Sequence, residues 1–221
     1  MDSIESCSRF DSLDEVPSDR VESLVEDEGY ESLCEEDYSM CMQHEAGHFL
    51  VGYLLGVLPK GYEVPGTEAL RQDEFAAGRV KFVGFEFLKE VSFKLSWISR
   101  LSMPCRFIFQ RMLKTDIGQV SNRILNNFSC IILGGLVAAH LVFGYSKGHH
   151  SDIDKLERVF KWLGYRKSEA ISQVKWAALN TLLISHRNSE ARSRLAKAMA
   201  TGRSVSLCIE TIENAIHGKE I

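Results

Sequence analysis

The chain has 221 residues, a net charge of −4 and a hydrophobic content of 45%. This length fits one domain, or one domain with a tail, and the apolar content is enough to build a core. The sequence contains neither a Walker-type phosphate loop nor a glycine-rich dinucleotide motif, and its net charge is wrong for a nucleic-acid binder. We therefore expect no ATP site and no nucleic-acid partner.

Acidic residues are concentrated at the start of the chain. Residues 1–37 carry 14 Asp and Glu against two Arg, whereas residues 38–221 carry 24 Lys and Arg against 16 Asp and Glu. The first segment has scattered apolar residues without a sustained period, which predicts a disordered acidic arm over 1–37 and a folded domain over 38–221. Its composition is unlike that of a signal or transit peptide, so no targeting segment is expected there.

The stretch 43–48 reads Gln-His-Glu-Ala-Gly-His and contains the pattern His-Glu-x-x-His. On a helix, His44 and His48 would lie one turn apart on one face, where two imidazoles can reach one metal ion. Glu45 flanks that face, and a carboxylate beside bound Zn²⁺ can take a proton from the metal's water. The pattern indicates a zinc peptidase site with Glu45 as base; the alternative is a helix with two ordinary polar histidines.

The region after the motif alternates turn signals with apolar runs. Residues 59–66 contain two Pro and two Gly, which predicts a turn-rich connection. Residues 78–88 are aromatic and β-branched, which predicts a strand that either pairs with an extended peptide substrate or closes a small sheet.

Residues 92–114 are basic, contain no acidic residue and are split by Pro104. This pattern predicts two short amphipathic segments that either contact an anionic membrane surface or form a lobe packed on the folded domain.

The second half of the chain is predicted to be helical. Residues 120–145 contain an apolar core, Cys130–Phe143, that is shorter than the roughly 20 residues of a membrane span. Its small residues predict a buried helix packed on the motif helix. After a loop, Ser151 or Asp152 is expected to cap the next helix. Three further amphipathic helices, which we expect to form a helical core, are predicted over 167–187, 189–200 and 204–217.

A catalytic zinc site requires a third protein ligand and keeps one coordination position open. The residues themselves leave the choice of that ligand open. The candidates are the His and acidic residues at and beyond the end of the apolar helix: His140, His149, His150, Asp152, Asp154 and Glu157.

The order of several short stretches carries a family resemblance. His44-Glu45-Ala46-Gly47-His48 is followed, much later in the chain, by Leu133-Gly134-Gly135, Phe143-Gly144, Gly148 and Asp152-Ile153. This pattern resembles the peptidase domain of FtsH-type zinc metalloproteases. The resemblance implies a mainly α, zincin-like domain with a short β element at the cleft. It also implies His44, His48 and Asp152 as ligands of Zn²⁺ and Glu45 as general base.

The sequence also resembles, in more detail, the plant chloroplast FtsH-like peptidases that lack the ATPase module. The similarity covers about residues 40–218 and is carried also by 54–62, 176–183 and 191–193. It implies a chloroplast protein that hydrolyses peptide bonds of protein or peptide substrates without its own ATPase. The alternative is a non-proteolytic, zinc-binding plastid protein that acts as a partner of complete FtsH proteases. The choice between a monomer and a homo- or hetero-oligomer is left open by the sequence.

Two features depart from the family pattern. Family members usually have a Glu in the helix before the loop, where this chain has Ala139 followed by His140. A side chain that supports the metal ligands would then be missing. Residues 92–114 also look like an insertion relative to the short connection of the family, where they could obstruct the cleft or contact a membrane.

Overall fold

The computed structural model describes residues 18–66, 78–85, 122–146 and 149–217, with side chains from residue 35 onward, 149 and 150 excepted. The described part of the chain is mainly helical, as the sequence predicts, with six helices and a two-stranded sheet. The helices are α1 (Ser18–Leu54), α2 (Asn122–Phe143), α3 (His149–Leu163), α4 (Lys167–Arg187), α5 (Ser189–Ala200) and α6 (Val205–His217), and the strands are β1 (Pro59–Glu63) and β2 (Arg79–Phe82). The amphipathic region 92–114 lies outside the described residues.

Helix α1 carries the His-Glu-x-x-His pattern and lies between two hydrophobic clusters. Met42, Ala46 and Phe49 pack against α5 and α6, while Val51 joins the cluster formed by α2, α3 and α4. The apolar residues after His48 therefore bury the C-terminal half of α1 on both sides, as their helical spacing predicts. A helix fixed in this way holds its imidazoles in defined positions.

Helix α1 also begins earlier than the sequence suggests. Residues 18–37 form its first turns, whereas the sequence predicts a disordered arm up to residue 37. Glu is a good helix former, and acidic residues stabilise the N-terminal end of a helix through its dipole, so this composition is compatible with helix. Glu36 accepts a hydrogen bond from the Tyr145 hydroxyl at 3.1 Å, which connects this region to the body. Residues 1–17 lie outside the described residues.

Helix α2 crosses α1 at very short range because both helices have glycine at the crossing. A Cβ placed on Gly47 would collide with the Gly134 carbonyl and the Ala138 side chain, and one on Gly134 would lie 2.8 Å from the Gly47 oxygen. The prediction of a buried helix packed on the motif helix is confirmed. Among the described residues α2 is the one helix long and apolar enough to span a membrane, but 61% of its most apolar window is buried inside the protein.

The two strands form an antiparallel ribbon beside α1. Tyr62 pairs with Val80, and Glu63 with Arg79. The prediction of a turn-rich connection over 59–66 is therefore wrong for Pro59–Glu63, because these residues gain their strand hydrogen bonds from a partner distant in the sequence. Pro59 lies at the start of β1, a position where strands tolerate proline. The strand predicted over 78–88 is confirmed for Arg79–Phe82, and residues 86–88 lie outside the described residues.

The C-terminal helices agree with the sequence prediction in extent but not entirely in burial. The boundaries of α4 and α5 match, and α6 starts one residue later than predicted. Helix α4, however, buries small residues (Ala177, Thr181 and Ser185) and exposes large apolar ones, with Leu179 64% exposed. The expectation that its apolar residues form a core is thus wrong for this face. Helix α3 begins at His149, so Asp152 lies in its first turn instead of capping it.

Candidate metal centre

The two histidines of α1 lie side by side next to α2. Their rings are edge-on with centroids 4.7 Å apart, and the two Nε2 atoms are 3.0 Å apart. This is the arrangement that a spacing of four residues on a helix predicts. Both side chains are largely buried: His48 is 7% exposed and the His44 side chain is 14% exposed.

Asp152 approaches the same point from the first turn of α3. Its Oδ2 atom lies 3.0 Å from His44 Nε2 and 3.1 Å from His48 Nε2. The three atoms therefore form a nearly equilateral triangle. Ligands on a tetrahedral zinc, with bonds of about 2.0–2.1 Å, are separated by roughly 3.3 Å, so this triangle is slightly smaller than the one that a bound zinc ion would need.

The structure thus brings together three of the residues singled out in the sequence and separates the other candidates from them. His140 is exposed in the last turn of α2, and Asp154 and Glu157 are exposed on α3. The side chains of His149 and His150 lie outside the described ones. In the described part of the chain, His44, His48 and Asp152 are the His, Cys and acidic residues close enough to share one metal ion.

Hydrogen bonding fixes the orientation of His48. Its Nδ1 lies 2.7 Å from the Ile131 carbonyl oxygen, which can only accept, so Nδ1 carries a proton. In the neutral ring, the Nε2 lone pair then points to the other two ligand atoms, as in many metal-binding histidines. His44 Nδ1 is buried and has no hydrogen-bond partner in the described part of the structure. Three lone pairs that face one another need a shared proton or a cation between them, and one metal ion can satisfy all three.

Glycine at position 135 keeps space open next to the imidazoles. A Cβ on Gly135 would lie 2.5 Å from the Nε2 atoms of both His44 and His48. Such distances are far shorter than a normal van der Waals contact, so any larger residue would displace the rings. The residues present therefore fit a metal ion both in their ligand atoms and in the cradle around them.

The charges in the site follow from burial and close contacts. Burial raises the pKa of Asp152, but its hydrogen bonds with His44 and His48 outweigh burial and hold this pKa far below its usual range. Burial lowers the pKa of His48, yet the hydrogen bond and charge of Asp152 raise it overall. Without metal, the geometry thus favours a proton on His48 next to an ionised Asp152. Metal binding would release that proton.

Glu45 lies next to the triangle and is almost completely enclosed. Its side chain is 3% exposed, and a Cβ on Gly78 would lie 2.5 Å from its Cγ atom, so the backbone before β2 packs directly on it. Burial raises the pKa of Glu45, with His48 and His44 acting in the opposite direction. One carboxylate oxygen, Oε2, is buried without a hydrogen-bond partner in the described structure. A carboxylate with a free acceptor and increased basicity is suited to accept a proton.

Two supporting residues were missed in the sequence. Lys155 Nζ lies 2.8 Å from Asp152 Oδ1, and the acid–base spacing of three residues on a helix was the signal that could have revealed it. Arg192 of α5 is buried beside α1, with its Nε donating to Gln43 Oε1 at 3.3 Å, one residue before His44. No sequence pattern marks Arg192. Ala139 is fully buried in α2.

Comparison with protein-family models finds no matching family, and comparisons with curated proteins and with solved structures find no match. The FtsH-type resemblance therefore stays a prediction. Function is inferred below from the geometry of the site, together with that resemblance.

Proposed function

We propose that this chain is an FtsH-type, zincin-like, zinc-dependent metalloendopeptidase that hydrolyses peptide bonds without an ATPase of its own. The observation that carries the proposal is the convergence of His44, His48 and Asp152 on one point, with Glu45 buried beside them. Two imidazole nitrogens and one carboxylate oxygen are a typical ligand set of catalytic zinc, which leaves a fourth position for substrate or water.

The roles of the side chains follow from their positions. His44, His48 and Asp152 would hold the ion, and a bound Zn²⁺ would supply Lewis-acid chemistry that polarises the scissile carbonyl. Glu45 accepts a proton from the attacking water. The same carboxyl group then donates that proton to the amide nitrogen of the leaving fragment. Burial supports both steps because it raises the pKa of Glu45 from that of an ordinary carboxylate.

The short sheet supports an extended peptide as substrate. Residue Gly78 lies against the Glu45 side chain and leads directly into β2, so one end of the sheet is adjacent to the base. In the described residues each strand pairs only with the other and keeps one open edge. An extended polypeptide could hydrogen-bond to such an edge and bring its carbonyl to the site. A protein or peptide substrate is therefore part of the proposal.

The test combines metal analysis with hydrolysis of an unfolded protein. Purified protein is expected to contain close to one zinc per chain and to cleave casein, and a chelator should abolish the cleavage. The matched variant Glu45→Gln retains shape and hydrogen bonding but lacks the proton acceptor, so it should keep zinc without cleaving casein. Absence of zinc from the wild-type protein, even after addition of metal, would refute the proposal.

A second function is favoured by the enclosure of the site. Glu45, Asp152 and His48 are only 3%, 5% and 7% exposed, and Ala139 replaces a family Glu. These features fit a non-proteolytic, zinc-binding plastid protein that assembles with complete FtsH proteases. The same experiment distinguishes the two: zinc at full occupancy with no casein cleavage above Glu45→Gln favours the second. In either case we propose a chloroplast location, on the resemblance alone.

A further inference from the structure

The carboxylate of Asp152 is held at both oxygens by different partners. Oδ2 is within 3.1 Å of both imidazole Nε2 atoms, whereas Oδ1 lies 2.8 Å from the ammonium nitrogen of Lys155. Lys155 follows Asp152 by three residues in α3, so the two side chains share one face of the helix. One oxygen is thus free to bind a metal ion and the other is occupied.

Lys155 also acts electrostatically on the two acidic side chains of the site, Asp152 and Glu45. Its own side chain is 41% exposed, whereas that of Asp152 is 7% exposed. Lys155 therefore reaches from the protein surface to a buried carboxylate.

From this geometry we propose that Lys155 is a positioning residue that holds Asp152 as a one-oxygen metal ligand. The inference rests on the proposed metal site. With Oδ1 bonded to the ammonium group, the carboxylate cannot rotate freely about its χ2 bond, and Oδ2 stays directed to the two histidines. Side chains that hydrogen-bond to a metal ligand in this way orient the ligand in the metal-free protein. Their loss typically lowers metal affinity by about 10- to 100-fold.

A second effect of Lys155 acts in the opposite direction. Its positive charge repels a metal cation, so removal of the charge would by itself strengthen binding. Because the side chain is 41% exposed, water with its high dielectric constant weakens this repulsion. The hydrogen bond to the buried Asp152 oxygen is screened much less. We therefore expect positioning to outweigh repulsion.

Helix α3 offers a matched control. Lys161 forms an ion pair with Glu157 at 3.6 Å on the same helix, and both side chains are exposed. Lys161→Met therefore makes the same chemical change as Lys155→Met, at a distance from the metal ligands. Lys155→Arg retains the donor and the charge, and Lys155→Leu, like Lys155→Met, removes both.

The experiment measures the Kd of Zn²⁺ for the full chain by competition with a chromophoric chelator at fixed pH. Lys155→Met should raise the Kd at least about 10-fold, Lys155→Arg should restore it to within about threefold, and Lys161→Met should leave it unchanged. Lys155→Leu gives the same comparison if the Met variant does not fold. An unchanged or tighter Kd in Lys155→Met overturns the positioning role while leaving the metal site intact. A wild-type chain that does not bind zinc overturns both.

Discussion

Substitution of Gly135 by alanine tests whether the space beside the two imidazoles is the place of a metal ion. The added Cβ would lie 2.5 Å from both Nε2 atoms, whereas carbon and nitrogen normally touch at about 3.5 Å. The rings would therefore have to move by about 1 Å. Such a displacement is half the length of a zinc–nitrogen bond of about 2.0–2.1 Å. We expect Gly135→Ala to lose zinc binding.

The size of the effect follows from linkage between binding and folding. At a free zinc concentration 100 times the Kd, binding stabilises the native state by about 2.7 kcal/mol. For a domain of this size each kcal/mol shifts the Tm by about 2–4 °C, so zinc should raise the Tm of the wild type by about 5–10 °C. In Gly135→Ala this zinc-dependent rise should fall below about 1 °C at the same metal concentration.

The assay is thermal unfolding with added zinc and with chelator for each variant. Because each variant is compared with its own metal-free form, the intrinsic gain of helix stability from Gly to Ala cancels. Gly61→Ala serves as control, since a Cβ at that position meets nothing within 4 Å. A wild-type zinc shift in Gly135→Ala would show that the ion does not bind at these nitrogens and would refute the reasoning.

Three other predictions concern individual side chains. Asp152→Ala should lower zinc occupancy measured by elemental analysis, whereas the exposed neighbour Asp154→Ala should not; equal occupancy would exclude Asp152 as ligand. Glu45→Gln should reduce casein hydrolysis by several orders of magnitude at unchanged zinc content, and retained hydrolysis would exclude Glu45 as base. The Tyr62 hydroxyl donates a hydrogen bond to the Arg203 carbonyl oxygen. The pKa of Tyr62 is raised to about 12, mainly by burial. Since the unfolded value is about 10, the stability it provides is complete below pH 10 and is lost between pH 10 and 12. Urea unfolding should therefore show a smaller loss over this range in Tyr62→Phe, and an identical loss would contradict the assignment.

The sequence was informative wherever periodicity alone determines the result. The four-residue spacing of His44 and His48 places both imidazoles on one face of any α-helix, whatever the rest of the fold. The extents of α2 and of the three C-terminal helices follow from apolar period and loop signals for the same reason. Composition was a less reliable guide to secondary structure. The Pro and Gly residues of β1 predicted turns, and the acidic residues in the first turns of α1 predicted disorder.

Tertiary structure decided which residues meet. Six candidates for the third ligand had equal standing by residue type, and Asp152 alone among the described ones reaches both imidazoles, because α3 begins at His149 and its first turn faces α1. The same applies to Lys155, whose role depends on which oxygen of Asp152 is already engaged. Sequence spacing determines which residues are neighbours within one helix. Packing between helices, such as that of Gly47 on Gly134, determines which residues of different helices are neighbours. The backbone hydrogen bonds of one helix therefore determined the relative position of the two histidines. Packing between segments that are distant in the sequence brought Asp152 to them and completed the site.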